Sequence, residues 1–120
     1  MMSGFTVRRA GDMNWERNVL GSTVTRLRTD GAMLTIVHGR KGDVVPAHGY
    51  SKGSVTYVVT GRISIDDEVL EAGDAGTYVA PGGYFTVRFL EDATYVVARA
   101  SRDEITVPDI GERAAHHLDA

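Results

Sequence analysis

Two side chains able to handle a proton stand two residues apart in Gly42-Asp43-Val44-Val45-Pro46-Ala47-His48-Gly49-Tyr50. Side chains alternate faces along a strand, so His48 and Tyr50 share one face. An imidazole titrates near neutral pH. With the Tyr50 phenol beside it, His48 could move a proton to or from an enolisable or hydroxylated substrate. Tyr50, Ser54 or Thr86 could donate a hydrogen bond to a developing oxyanion. Arg88 could clamp a carboxylate or enolate through charge-assisted bonds. Ordinary structural explanations stand beside these. His48 could be a hydrogen-bonded core histidine, Tyr50 a space-filling ring, and Arg88 a solvated charge.

These residues sit on short strands. Thr23 to Arg28 and Met33 to His38 flank Thr29-Asp30-Gly31, and Asp-Gly between β-branched runs signals a hairpin. Ser54 to Thr60 is β-branched and aromatic and stops at Gly61. Arg62-Ile63-Ser64-Ile65 alternates polar with apolar residues, and Asp66-Asp67 turns it into Glu68-Val69-Leu70. Tyr84 to Leu90 and Thr94 to Arg99 read as another pair turning at Glu91-Asp92. Many short strands between turn signals indicate an all-β sandwich or barrel. The segment from 11 to 20, with Trp15, reads as an irregular arm or short edge strand. Gly111 to Leu118, after Pro108 and a cap at Asp109, is the one helix candidate.

At 120 residues the chain is expected to form one domain. Within it, 1–20 is an N-terminal arm or strand, 21–100 the barrel and 101–120 a C-terminal tail. A net charge of −3 with scattered Lys and Arg gives no support for a nucleic-acid partner. The absence of cysteine removes disulfide and thiolate chemistry. No apolar stretch reaches the length of a membrane span, and the first residues do not read as a signal peptide. The expectation is a cytoplasmic protein with a small-molecule substrate and no nucleic-acid or membrane partner. Open sheet edges need cover, so a homodimer is expected, with the N-terminal strand and 111–118 at its interface.

The segment from Gly42 to Gly61, followed by Gly73-Asp74 and Pro81-Gly82-Gly83-Tyr84-Phe85-Thr86, resembles the paired motifs of the cupin family. The first such motif runs Gly, five residues, His, one residue, His, three or four residues, Glu, six residues, Gly. Gly42, His48 and Gly61 fit it. Tyr57-Val58-Val59-Thr60-Gly61 is similar to the family's usual strand end. Trp15, Gly21, Leu27-Arg28 and the Gly-Asp before His48 resemble the cupins related to the anti-sigma factor ChrR and to ketone dioxygenases. The resemblance covers about Trp15 to Ala98 and implies a jelly-roll β-barrel with an internal pocket.

The resemblance also implies a ligand set that this chain lacks. Where the family places a second His, the Glu and the His of the second motif, this sequence has Tyr50, Ser54 and Thr86. In a cupin the His48 and Tyr50 face would look into the barrel. Ser54, Thr56 and Val58 would continue that lining, and Tyr84, Thr86 and Arg88 would share a face on the second motif's strand. The expected substrate-binding set is therefore His38, Ser54, Thr56, Tyr84, Thr86 and Arg88 around the catalytic pair His48 and Tyr50. A transition metal wants three or four N, O or S ligands at about 2.0–2.3 Å. His48 alone matches a strong one. His38 could add a second imidazole if it faces inward, and it shares parity with Leu34 and Ile36, taken here as interior. No cofactor is expected, and the leading reading is metal-independent acid–base chemistry: cyclisation, isomerisation, dehydration or lyase. The alternatives are a metal-dependent dioxygenase with a divalent transition metal on His48, His38 and Tyr50, and a non-catalytic binding or sensing module.

Overall fold

The computed structural model describes residues 4–17 and 22–108. A single 3-10 turn, Ala10–Asp12, precedes the strands. The strands are β1 (Glu16–Arg17), β2 (Thr23–Arg28), β3 (Met33–Gly39), β4 (Val44–Tyr50), β5 (Ser54–Thr60) and β6 (Arg62–Ile65), followed by β7 (Glu68–Glu71), β8 (Ala75–Tyr78), β9 (Phe85–Phe89), β10 (Ala93–Arg99) and β11 (Ile105–Thr106). They form two antiparallel sheets, one in the order β1-β2-β3-β10-β5-β8 and one in the order β11-β4-β9-β6-β7. This is the all-β jelly-roll barrel expected from the short strands and turn signals. The helix candidate at 111–118 lies outside the described residues. Among the described residues no helix is long and apolar enough to cross a membrane.

Most of the local readings hold. The Asp-Gly hairpin pairs β2 with β3 from Thr23↔His38 to Arg28↔Met33. β6 and β7 pair across Asp66, which takes a positive φ of 53° at the turn. β1 is a short edge strand, tied to β2 by Arg26 Nη1 and Glu16 Oε2 at 2.8 Å. One pairing is corrected. β9 and β10 do not form a hairpin: β9 pairs with β4 and β6, and β10 with β3 and β5 in the other sheet. The Glu91-Asp92 turn therefore crosses between sheets, and Asp92 Oδ1 accepts from Lys41 N (2.9 Å) as it does so.

The core fills the space between the sheets. Val24, Met33, Val37, Val58, Tyr95 and Val97 come from one sheet, and Val45, Ile63, Val87, Phe89 and Ile105 from the other. The two Gly-Asp pairs of the motifs do the same structural job. Asp43 Oδ2 accepts from Arg40 N (2.9 Å) and Asp74 Oδ2 from Glu71 N (2.8 Å), each closing the turn that leads into a strand. Gly61 is required twice over. Its φ is +80°, and a Cβ there would collide with the Asp92 carbonyl and with Ala93.

Candidate functional site

A β-bulge aims the central histidine. Val45 pairs with Val87 and His48 with Phe85, so β4 carries one more residue than β9 between these two points. Without it, Val45 and His48 would face opposite ways. With it both point inward, each 3% exposed. The bulge also supplies the histidine's anchor, because His48 Nδ1 lies 2.8 Å from the Pro46 carbonyl. A carbonyl can only accept, so Nδ1 carries the proton. Nε2 is left with its lone pair toward the Tyr50 hydroxyl, a long contact of 3.4 Å. Burial lowers the His48 pKa from its ordinary value, and the Arg99 charge acts the same way against the opposing Pro46 bond. His48 is thus a neutral imidazole at pH 7. Tyr50 is pushed up to about 12, chiefly by burial and against the pull of Arg99. It stays a phenol.

Three residues not anticipated from the sequence complete this cluster. Arg99 sits over the Tyr50 ring, its Cζ 4.8 Å from the centroid. Its Nη1 lies 3.3 Å from Asp103 Oδ2, with the two side chains 1% and 0% exposed. Asp103 Oδ1 accepts from Ser51 Oγ and Lys52 N, both at 2.7 Å. Tyr95 is buried behind Tyr50, and desolvation, with Tyr50 next, drives its pKa upward. The available signal for Arg99 was its parity with Tyr95 and Val97 along β10. Nothing in the sequence marked Asp103.

Two cavities bear on the predicted site residues, and a third of about 410 Å³ runs over Tyr50, Ser51, Tyr78 and Tyr84. The inner one is a chamber of about 30 Å³ lined by His48, Tyr50, Tyr95 and Arg99 among others. The outer one is an open basin of about 530 Å³ at the seam between β8 and β7, with Ser54, Thr56, Tyr78, Tyr84 and Phe85 on its walls. Asp66, Glu68 and Asp74 also line it and make it acidic. Aromatic rings stand between the two. The Phe85 ring lies 4.6 Å from that of His48, and Tyr78 lies 5.5 Å from Phe85 and 5.7 Å from Tyr50. Gly49 lets this wall close, since a Cβ there would strike the Gly83 carbonyl and the Tyr78 hydroxyl. The large basin is therefore not the place where the imidazole lone pair sits.

The expected site residues are distributed accordingly. His48 and Tyr50 share the inner chamber. Ser54 and Thr56 line the basin with Tyr84, which is 49% exposed at its mouth. Three placements are corrected. Phe85, Val87 and Phe89 form the inward face of β9, so Thr86 and Arg88 lie on the other face. Arg88 is exposed, and Thr86 donates its backbone N–H to Asp66 Oδ1 at 3.1 Å. His38 faces outward with Leu34 and Ile36, because Met33, Thr35 and Val37 take the interior. It stacks on Trp15 at 4.1 Å and bonds Thr94 Oγ1 through Nδ1 at 2.7 Å.

Solved structures superpose on this arrangement. The sugar phosphate isomerase from a cupin superfamily of Silicibacter pomeroyi aligns with a TM-score of 0.69 and 13% identity, over 88% of this chain and 83% of that one. This chain has the cupin fold. A second cupin-fold match is an acetylacetone dioxygenase from Acinetobacter johnsonii, with a TM-score of 0.73 and 10% identity over 96% of this chain and 84% of that one. The complex of Rhodobacter sphaeroides SigE with the anti-sigma ChrR gives 0.66 and 24%, over 76% of this chain; the chain spans only about half (51%) of that partner in the comparison. No protein-family model matches the chain, and no curated protein matches it in sequence.

The fold's usual metal does not fit these residues. Among the described residues no three His, Cys, Asp or Glu side chains gather as a metal ion needs. His48 stands beside Phe85 on the neighbouring strand, Thr86 points away, Ser54 lies in the outer basin, and Asp103 is engaged by Ser51, Lys52 and Arg99.

Proposed function

We propose that this chain is a small-molecule cupin that works by acid–base chemistry without a metal. The observation that carries this reading is the state of His48: neutral, its Nδ1–H fixed on Pro46, its Nε2 lone pair met only by the long 3.4 Å contact from the Tyr50 hydroxyl. A general base needs that lone pair aimed and unprotonated at working pH. In the step supported, a C–H bond next to a carbonyl breaks, the proton goes to Nε2, and the electron pair moves onto the carbonyl oxygen. Tyr50, a phenol at pH 7, hydrogen-bonds the enolate oxygen. Return of the proton to a neighbouring atom gives an isomer; if it passes instead to a β-hydroxyl, that group leaves as water as the enolate collapses, and the result is a dehydration. No oxidant or reductant is needed. The acidic basin favours a neutral or cationic hydroxylated molecule over an anion.

A second reading rests on a different observation. The Phe85 ring covers His48, and only about 30 Å³ adjoins Nε2. That closure favours a protein that holds a ligand in the basin and turns nothing over. The two separate in one experiment. Metal-stripped protein is incubated in D2O with a panel of enolisable hydroxyketones and aldoses, and deuterium uptake is read by NMR beside thermal shifts. Exchange that disappears in His48→Gln, with thermal shifts kept, supports the enzyme. Thermal shifts without exchange support the binding module. Exchange only on re-addition of a metal would overturn the metal-free reading.

The same reading includes a cytoplasmic homodimer. Val55, Tyr57 and Val59 project from the outer face of β5, 49%, 46% and 46% exposed, and a second copy would cover them.

A further inference from the structure

The inner chamber leaves buried polar groups without a partner. Its polar lining is Ser22, Thr35, His48, Tyr50, Tyr95 and Arg99, with no carboxylate among the lining residues. Arg99 is enclosed, 1% exposed at its side chain, yet neither Nη1 nor Nη2 has a hydrogen-bond partner. Thr35 Oγ1 is buried without one as well. Native interiors seldom leave such groups unmatched. A guanidinium brings five N–H donors and no acceptor.

Asp103 does not answer this demand. Its Oδ1 is taken by Ser51 and Lys52. Its Oδ2 lies 3.3 Å from Arg99 Nη1 without forming a hydrogen bond. The remaining space, about 30 Å³, exceeds the ~10–15 Å³ that a single water needs. It is far below the ~300 Å³ of an organic ligand pocket. The only side-chain nitrogen acceptor in the lining is His48 Nε2, and the Tyr50 hydroxyl already faces it. A water placed here could donate to the Thr35 or Ser22 hydroxyl, but it would meet the Arg99 N–H groups with a single neutral oxygen. An anion brings none and can accept from Nη1, Nη2 and Thr35 Oγ1 together, with the guanidinium charge near it only partly offset by Asp103 at 3.3 Å.

We propose that this chamber is a binding site for a monovalent anion no larger than a halide or a single carboxylate group, held by Arg99 with the Thr35 hydroxyl as a second donor. The site stands apart from the basin but shares its chamber with His48 Nε2, so a bound anion would compete with the proposed acid–base step; anion binding is read without any turnover, and its failure leaves that step untouched.

The test uses the full chain. Thermal unfolding is followed in chloride, bromide or formate against methanesulfonate, too bulky for the chamber, at matched ionic strength. The expected result is a saturable rise in Tm with the small anions only. In Thr35→Val, a substitution of equal shape that keeps the fold, the half-saturating concentration should rise about tenfold, as expected for the loss of one charge-assisted hydrogen bond. A crystal soaked in bromide should show an anomalous peak beside Arg99. A response to halides alone assigns a halide site; a response to formate as well assigns a carboxylate head. Equal stability in all salts, an unchanged midpoint in Thr35→Val, or water without bromide beside Arg99 would overturn the proposal.

Discussion

Arg99 is held between the face of Tyr50, 4.8 Å from its centroid, and the carboxylate of Asp103, 3.3 Å from its Nη1. One cation thus links a cation–π contact to an ion pair, both away from water. Breaking a buried pair from one side leaves the other charge uncompensated, a loss of about 3–5 kcal/mol. Arg99→Met should destabilise the protein by that amount in urea unfolding. Adding Asp103→Asn removes the stranded charge and keeps an acceptor for Ser51 and Lys52. The double variant should recover more than half of the loss. Equal instability of single and double variants would show that packing on Tyr50, not charge, sets the cost.

Stability should fall on acidification through His48. Its folded pKa lies below the ordinary value because the buried imidazole resists protonation. A depressed folded pKa means the stabilisation is present above the unfolded value of about 6.5. It is lost as pH falls toward the folded value. Urea midpoints measured from pH 7 downward should drop less steeply in His48→Gln than in the natural chain. Parallel slopes would assign the acid sensitivity to other groups.

Tyr50 gives the mirror case in alkali. Its folded pKa of about 12 exceeds the ordinary value near 10. The neutral phenol's contribution is therefore complete below about pH 10 and disappears as pH rises through 12. Phenolate absorbance should show a late-titrating tyrosine near that pH, missing in Tyr50→Phe. Its persistence in the variant would remove the assignment.

Gly61→Ala should cost about 1–3 kcal/mol from the positive φ alone. The collision with the Asp92 carbonyl adds to this. Chemical denaturation reads the loss. A neutral substitution would mean that the turn after β5 can relax.

Sedimentation across a dilution series should report a dimer that Tyr57→Lys dissociates, since a charge on the outer face of β5 opposes a second copy. A monomer at every concentration would remove the homodimer.

The legible parts of the sequence were those governed by local chemistry. The Asp30-Gly31 turn, the Ser54–Thr60 strand and the Asp66 turn each follow from the residues on the spot. The inner pair His48 and Tyr50 was legible because they stand two residues apart. β9 was misread for an instructive reason. Phe85, Val87 and Phe89 alternate with Tyr84, Thr86 and Arg88, so the plain apolar pattern already gave the inward face. Counting from the motif glycines overruled it and turned Thr86 inward. β3 offered no such pattern, since Met33, Thr35 and Val37 are no more apolar than Leu34 and Ile36, and His38 was assigned to the wrong side. The Arg99–Asp103 pair was illegible because its stability depends on partners supplied by the distant Ser51-Lys52 turn.

The single extra residue in β4 has a practical meaning for anyone re-engineering this barrel. Up to Val45, inward positions are odd; past the bulge, they are even. A new donor intended to meet His48 from the neighbouring strand β9 belongs at 85, where the phenylalanine now stands, and not at the position that motif counting names. Deleting Ala47 would slide the tail of the strand by one place, bringing Gly49 inward and turning both the imidazole and the phenol out of the chamber together.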